Sequence, residues 1–73
     1  MRGEELMALR ESDLVVCDLP VSWNGVVPIY GDVTCEFVGL SGEEHAYIYR
    51  PDSLSPKGKR FVVVNRNRIV RRA

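Results

Sequence analysis

GKRFVVVNRNRIVRR, residues 58–72, decides how the rest of the chain is read. It sets an apolar run, Phe61-Val62-Val63-Val64, among most of the positive charge. The run is β-branched, and too short for a lone helix, so it predicts a strand. Being continuously apolar, it predicts a strand that is buried and central. An aspartate at Val63 would then have no water to solvate it and should prevent folding. Asn65-Arg66-Asn67-Arg68 predicts a turn or a single 3₁₀ turn, and Ile69-Val70 begins a last short strand. One segment is thus expected both to close the core and to display a basic face.

Upstream of this segment the chain reads as short strands joined by tight turns. Leu14 to Leu19 is apolar except for Asp18, and Pro20 marks its edge or end. Asn24-Gly25 is a strong hairpin signal, because both residue types tolerate positive φ. Val26 to Tyr30 returns, with Pro28 placing it on a sheet edge, and Gly31-Asp32 predicts a second tight turn. Val33 to Leu40 alternates, with Val33, Cys35 and Phe37 on one face and Thr34 and Glu36 on the other; Gly39 suggests a bulge. His45 to Arg50 is a further strand, with Ala46 and Ile48 opposite Tyr47 and Tyr49. Residues 51–59 form the longest loop. Gly3 to Glu11 predicts a short helix with Leu6, Leu9 and Arg10 on one side and Met7 beside them.

The fold class expected is mainly β: a small antiparallel, curled sheet or SH3-like barrel of five or six short strands, preceded by a short N-terminal helix or arm. Residues 1–13 form the arm and residues 14–73 the β domain. Because the strand signals begin at Leu14, the body is expected to stay folded without residues 1–11.

Seventy-three residues make one small domain. Apolar and charged fractions of 45% and 27% are those of a folded domain, which argues against disorder. The net charge is zero but unevenly spread. Residues 1–37 carry two basic and seven acidic side chains, a balance of −5; residues 38–73 carry eight basic and three acidic, a balance of +5. The halves either fold against each other or offer two unlike faces. No apolar run is long enough to span a bilayer, and the charged N-terminus lacks the apolar core of a secretory signal. The chain reads as a cytoplasmic product beginning at Met1, and as a monomer when alone.

Catalytic chemistry has little to stand on. His45 is the sole histidine, at a strand edge beside Glu43 and Glu44, with no nucleophile setting around it. The carboxylates are scattered, and no pair shares a helix face. Cys17 and Cys35 form no CxxC pair and read as reduced, buried thiols. No metal site or cofactor is expected. Two binding chemistries remain. Lys57, Lys59, Arg60, Arg66, Arg68, Arg71 and Arg72 crowd into sixteen residues. With Tyr47 and Tyr49 as stacking platforms, Arg66, Arg68, Arg71 and Arg72 would suit nucleic acid; the bland alternative is a solvated edge balancing the acidic half. Trp23, at a hairpin tip, either lids the barrel end or anchors a protein partner. Leu6, Met7, Leu9 and Arg10 either pack into the core or dock in a partner's groove, and Lys57, Lys59 and Arg60 would form the charged rim.

The arm MRGEELMALRESD (1–13), the body LVVCDLPVSWNGVVPIYGDVTCEFVGL (14–40) and the tail KGKRFVVVNRNRIVRR (57–72) together resemble small phage-encoded regulators that bind bacterial RNA polymerase. The resemblance spans the whole chain and carries over no individual residue. It implies binding to the polymerase's large subunits, interference with promoter initiation, and read-through of terminators near the RNA exit. Nucleic acid would be met within that complex.

Overall fold

The computed structural model describes residues 2–51 and 58–73. A short helix α1 (Gly3–Met7) precedes five strands, β1 (Leu14–Asn24), β2 (Val27–Ser41), β3 (His45–Pro51), β4 (Lys59–Asn65) and β5 (Ile69–Arg72). They form one antiparallel sheet in the order β4-β3-β2-β1-β5. A single 3₁₀ turn, Arg66–Arg68, joins β4 to β5 as the sequence predicts, capped by the Asn65 side chain, which accepts from the Asn67 N–H. Among the described residues the sheet does not close into a barrel, and β4 and β5 stand at its two edges. It is nevertheless curled, because both edges feed one core. Val64 of β4 and Ile69 of β5 join Val15, Cys17, Leu19, Cys35, Phe37, Ala46 and Ile48 in a single buried cluster.

Residues 27–41 make one uninterrupted strand, so the turn expected at Gly31-Asp32 does not form. The reason lies across the ladder. Leu19 opposes Gly31, Pro20 opposes Tyr30 and Ser22 opposes Ile29, so Val21 is an extra, bulged residue. Its side chain lies 3.2 Å from where a Cβ on Gly31 would stand. Gly31 is there for close approach, not for a positive φ. The hairpin turn is also one residue later than Asn24-Gly25 suggests. Its central residues are Gly25, at φ 69°, and Val26, which suits a turn with glycine first.

Pro20 and Pro28 are tolerated because β5 pairs with β1 only over Val15 to Cys17, and β3 pairs with β2 only from Glu36 onward. Past Asp18 and Asp32 the β1–β2 hairpin is therefore a two-stranded ribbon with no strand paired to either outer edge among the described residues.

The reading of Phe61–Val64 as a buried central run is overturned. β4 is an edge strand and alternates: Val64 is buried and Val62 half-buried, while Phe61 and Val63 are 51% and 50% exposed. Only one face of β4 meets the core, so period-2 burial governs the run.

The arm is not a separable appendage. Helix α1 stops at Met7, short of the expected Glu11, and Ser12, at φ 76°, redirects the chain into β1. Leu6 and Leu9 belong to the core cluster. Ser12 N–H donates to the Phe37 carbonyl and Phe37 N–H to the Asp13 carbonyl, both at 2.8 Å. Arg72 reaches the Ala8 carbonyl at 3.3 Å. Burying two leucines contributes roughly 3–6 kcal/mol before the ordering of the arm is subtracted. Deleting residues 2–11 is therefore expected to lower the melting temperature by at least about 10 °C, or to unfold the chain, in a circular-dichroism melt.

Cys17 and Cys35 are free and buried, at 0% and 1% exposure. Val15 pairs with Cys35 and Cys17 with Val33, so the two thiols are diagonal neighbours. The hydrogen bond to Cys35 and then burial push the Cys17 thiol up, and the same hydrogen bond lowers Cys35. Both thiols are expected to resist a thiol-specific reagent in native buffer and to react fully in denaturant.

Candidate functional site

The ribbon beyond Asp18 and Asp32 is chemically unlike the rest of the chain. Residues 21–30, VSWNGVVPIY, contain no charged side chain. Their large apolar members are exposed: Trp23 at 67%, Val26 at 91% and Val27 at 60%, with Val21, Ile29 and Tyr30 also open to solvent. The register places Trp23 beside Pro28 on one face of the ribbon and Ser22 beside Ile29 on the other, so the tip is apolar on both faces. Trp23 does not lid the sheet. Nothing in the fold requires an apolar residue at Val26, which sits in the turn itself. A contiguous exposed apolar patch on a small domain is a mark of an interaction surface.

The base of the ribbon is pinned to the body. Arg68 donates to the Asp18 carboxylate at 3.2 Å, and its guanidinium lies 4.7 Å from the Tyr30 ring centre. Arg71 meets Asp32 at 3.4 Å, and Arg50 donates to the Pro20 carbonyl at 3.0 Å. Exposed ion pairs contribute little individually, but they fix the ribbon's direction where β5 and β3 end.

The same contacts occupy the basic tail. Arg72 pairs with Asp13 at 3.4 Å, and Arg66 donates to the carbonyls of His45 and Gly42. Lys59 pairs with Glu36 at 2.8 Å, which raises the Lys59 pKa through the hydrogen bond and then the carboxylate charge. The stability from that pair is present below the ordinary lysine value of 10.5 and is lost as pH climbs through the raised one. The two halves of opposite charge thus fold against each other, each of these pairs joining an acid from the first half to a base from the second.

The other residues singled out in the sequence are dispersed. Leu6 and Leu9 are turned into the core, leaving Met7, at 73% exposure, and Arg10 as the open part of the arm. Arg60 is exposed on β4, with no ion pair among the described residues. Lys57 lies outside the described residues. Tyr47 stacks on Phe61 with ring centres 5.3 Å apart, and Tyr49 meets Phe61 edge-on at 5.5 Å. The Ser41 hydroxyl donates to Tyr47 Oη at 2.9 Å. These tyrosines are part of an aromatic strip on the sheet's outer face, away from the ribbon.

Among the described residues no three His, Cys, Asp or Glu side chains converge as a metal site. A cavity of about 220 Å³ between Leu14, Thr34, Glu36, Tyr49 and Lys59 falls below the roughly 300 Å³ at which small-molecule sites begin. Among the described residues no helix is long and apolar enough to cross a membrane. No known protein family, curated protein or solved structure matches this chain.

Val21, Val26, Val27, Ile29 and Tyr30 were not visible as site residues from strand signals alone. The signal that marks them is the thirteen-residue run without charge between Asp18 and Asp32, which holds both Pro20 and Pro28.

Proposed function

We propose that the protein is a non-enzymatic regulator that binds bacterial RNA polymerase and inhibits promoter initiation, promotes antitermination, or does both. It acts in the bacterial cytoplasm and docks through the uncharged tip of the β1–β2 ribbon. The observation that carries protein binding is the exposed apolar tip, above all Trp23 and Val26, for which folding supplies no reason. Tryptophan in such a setting is a frequent binding hot spot. The choice of polymerase as partner rests on the whole-chain resemblance. Arg10 and Arg60 lie outside the tip and tune the approach through their charge rather than anchor it, and Met7 lies outside the tip as well.

Recognition of free nucleic acid is less favoured, because Arg68, Arg71 and Arg72 each face a carboxylate. Phosphate would have to displace those partners, and the tip itself offers no cation.

The test is direct. Purified protein is titrated into RNA polymerase and scored for complex formation, promoter-dependent initiation and terminator read-through. Saturable binding with reduced initiation or increased read-through is expected. Absence of binding at low salt contradicts the reading, and so does a mobility shift of free DNA or RNA without any polymerase binding.

A further inference from the structure

We propose that two copies of this chain pair through β4, edge to edge and antiparallel about Val62, joining their sheets into one. This surface is separate from the ribbon tip and departs from the monomer expected from sequence. β4 is a seven-residue edge strand with no proline and no bulge in its pairing, and its charges stand only at its start, Lys59 and Arg60. Natural edges are normally blunted by such devices, and an unblunted apolar edge recruits another strand.

The hydrogen-bond phase of that edge is readable. Arg66 N–H donates to the Glu44 carbonyl at 2.8 Å, one step beyond the His45–Asn65 pair. Bonding alternates along an antiparallel ladder. Val64, Val62 and Arg60 therefore direct their N–H and C=O groups to β3, and Lys59, Phe61 and Val63 direct theirs outward.

Pairing about Phe61, Val62 or Val63 satisfies that phase, and pairing about Val62 fits best. Pairing about Val62 sets Phe61 against Val63 of the second copy, and Lys59 against its Asn65. All seven residues are used, and outward-facing groups meet outward-facing groups. Pairing about Val63 would set Arg60 against Arg66 of the second copy, a like-charge contact. Pairing about Phe61 would set Lys59 against Val63 and leave Asn65 beyond the strand. The favoured register also continues a row of side chains on the outer face. Tyr49 opposes Phe61 and Tyr47 opposes Val63 within one chain. Across the join the row runs Tyr49, Phe61, then Val63 and Tyr47 of the second copy. Phe61 and Val63, half exposed in the single chain, become covered.

The full-length chain is examined by sedimentation velocity over a wide concentration range. A reversible monomer–dimer equilibrium is expected. Val63→Lys, at a half-exposed edge position, should weaken the dimer by on the order of tenfold or more, because two-fold symmetry counts each change twice. Asn65→Asp keeps an acceptor for the Asn67 N–H and sets a carboxylate against Lys59 of the second copy, so it should tighten the dimer. Lys59 remains 58% exposed beside Glu36, with room for it. Circular dichroism of each variant separates loss of pairing from loss of fold. A monomer at every concentration overturns the proposal. So do assemblies that grow beyond two chains, or an Asn65→Asp variant that pairs no more tightly than the parent.

Discussion

Trp23→Ala is expected to abolish most binding to RNA polymerase while leaving the fold as it is. Trp23 is 67% exposed and contributes nothing to the buried cluster. Surface substitutions of this kind alter stability by about 0.5 kcal/mol or less, a melting shift of at most about 4 °C. A central aromatic anchor is worth roughly 2 kcal/mol or more of binding, so the dissociation constant should rise about 30-fold or more. Val26→Asp should act in the same direction, since it places a charge at the apex of the tip without touching the core. Surface plasmon resonance against immobilised polymerase measures both. Equal affinity for Trp23→Ala and the parent would move the contact surface off the ribbon.

Ile48→Asp is expected to leave no folded population, whereas Val63→Asp should melt within a few degrees of the parent at low concentration. The two residues stand on adjacent strands and have similar apolar character, but Ile48 is fully buried and Val63 is half exposed. A carboxylate at Ile48 meets only the core cluster, and burying it unpaired costs several kcal/mol, comparable to the whole stability of a domain this small. At Val63 water remains within reach. Circular-dichroism melts of the two variants test the phase of β3 and β4 together. If Val63→Asp were the variant that failed to fold, β4 would be central and the curled, open sheet would be the wrong description.

The strand content, the alternation of Val33, Cys35 and Phe37, the 3₁₀ turn and the short last strand are all legible in local sequence, because each depends on neighbours within a few residues. What is not legible depends on partners far along the chain. Gly31 looks like a turn residue until Val21 is seen to bulge over it. Phe61 to Val64 looks buried until the strand order makes β4 an edge. Leu6 and Leu9 read either as core or as a docking stripe, and the chain reversal at Ser12, which folds them onto the core, decides between the two. The basic tail reads either as a nucleic-acid surface or as an edge balancing the acidic half, and only the ladder shows Asp18, Asp32 and Asp13 set against Arg68, Arg71 and Arg72. Of the candidate site, Trp23 was legible as an exposed anchor or a lid, and topology decides between these. The rest of the tip was hidden because valine and isoleucine in a strand ordinarily signal burial.

The proposed docking of the ribbon tip on the polymerase is tested most directly by amide hydrogen exchange of this chain with and without polymerase. Residues 21–30 form a two-stranded ribbon with no strand paired to either outer edge among the described residues, so their amides should exchange quickly in the free protein and slow markedly in the complex, with the rest of the sheet little changed. Unchanged exchange over 21–30 in a formed complex, with protection appearing instead along Arg66 to Arg72 or the arm, would contradict it.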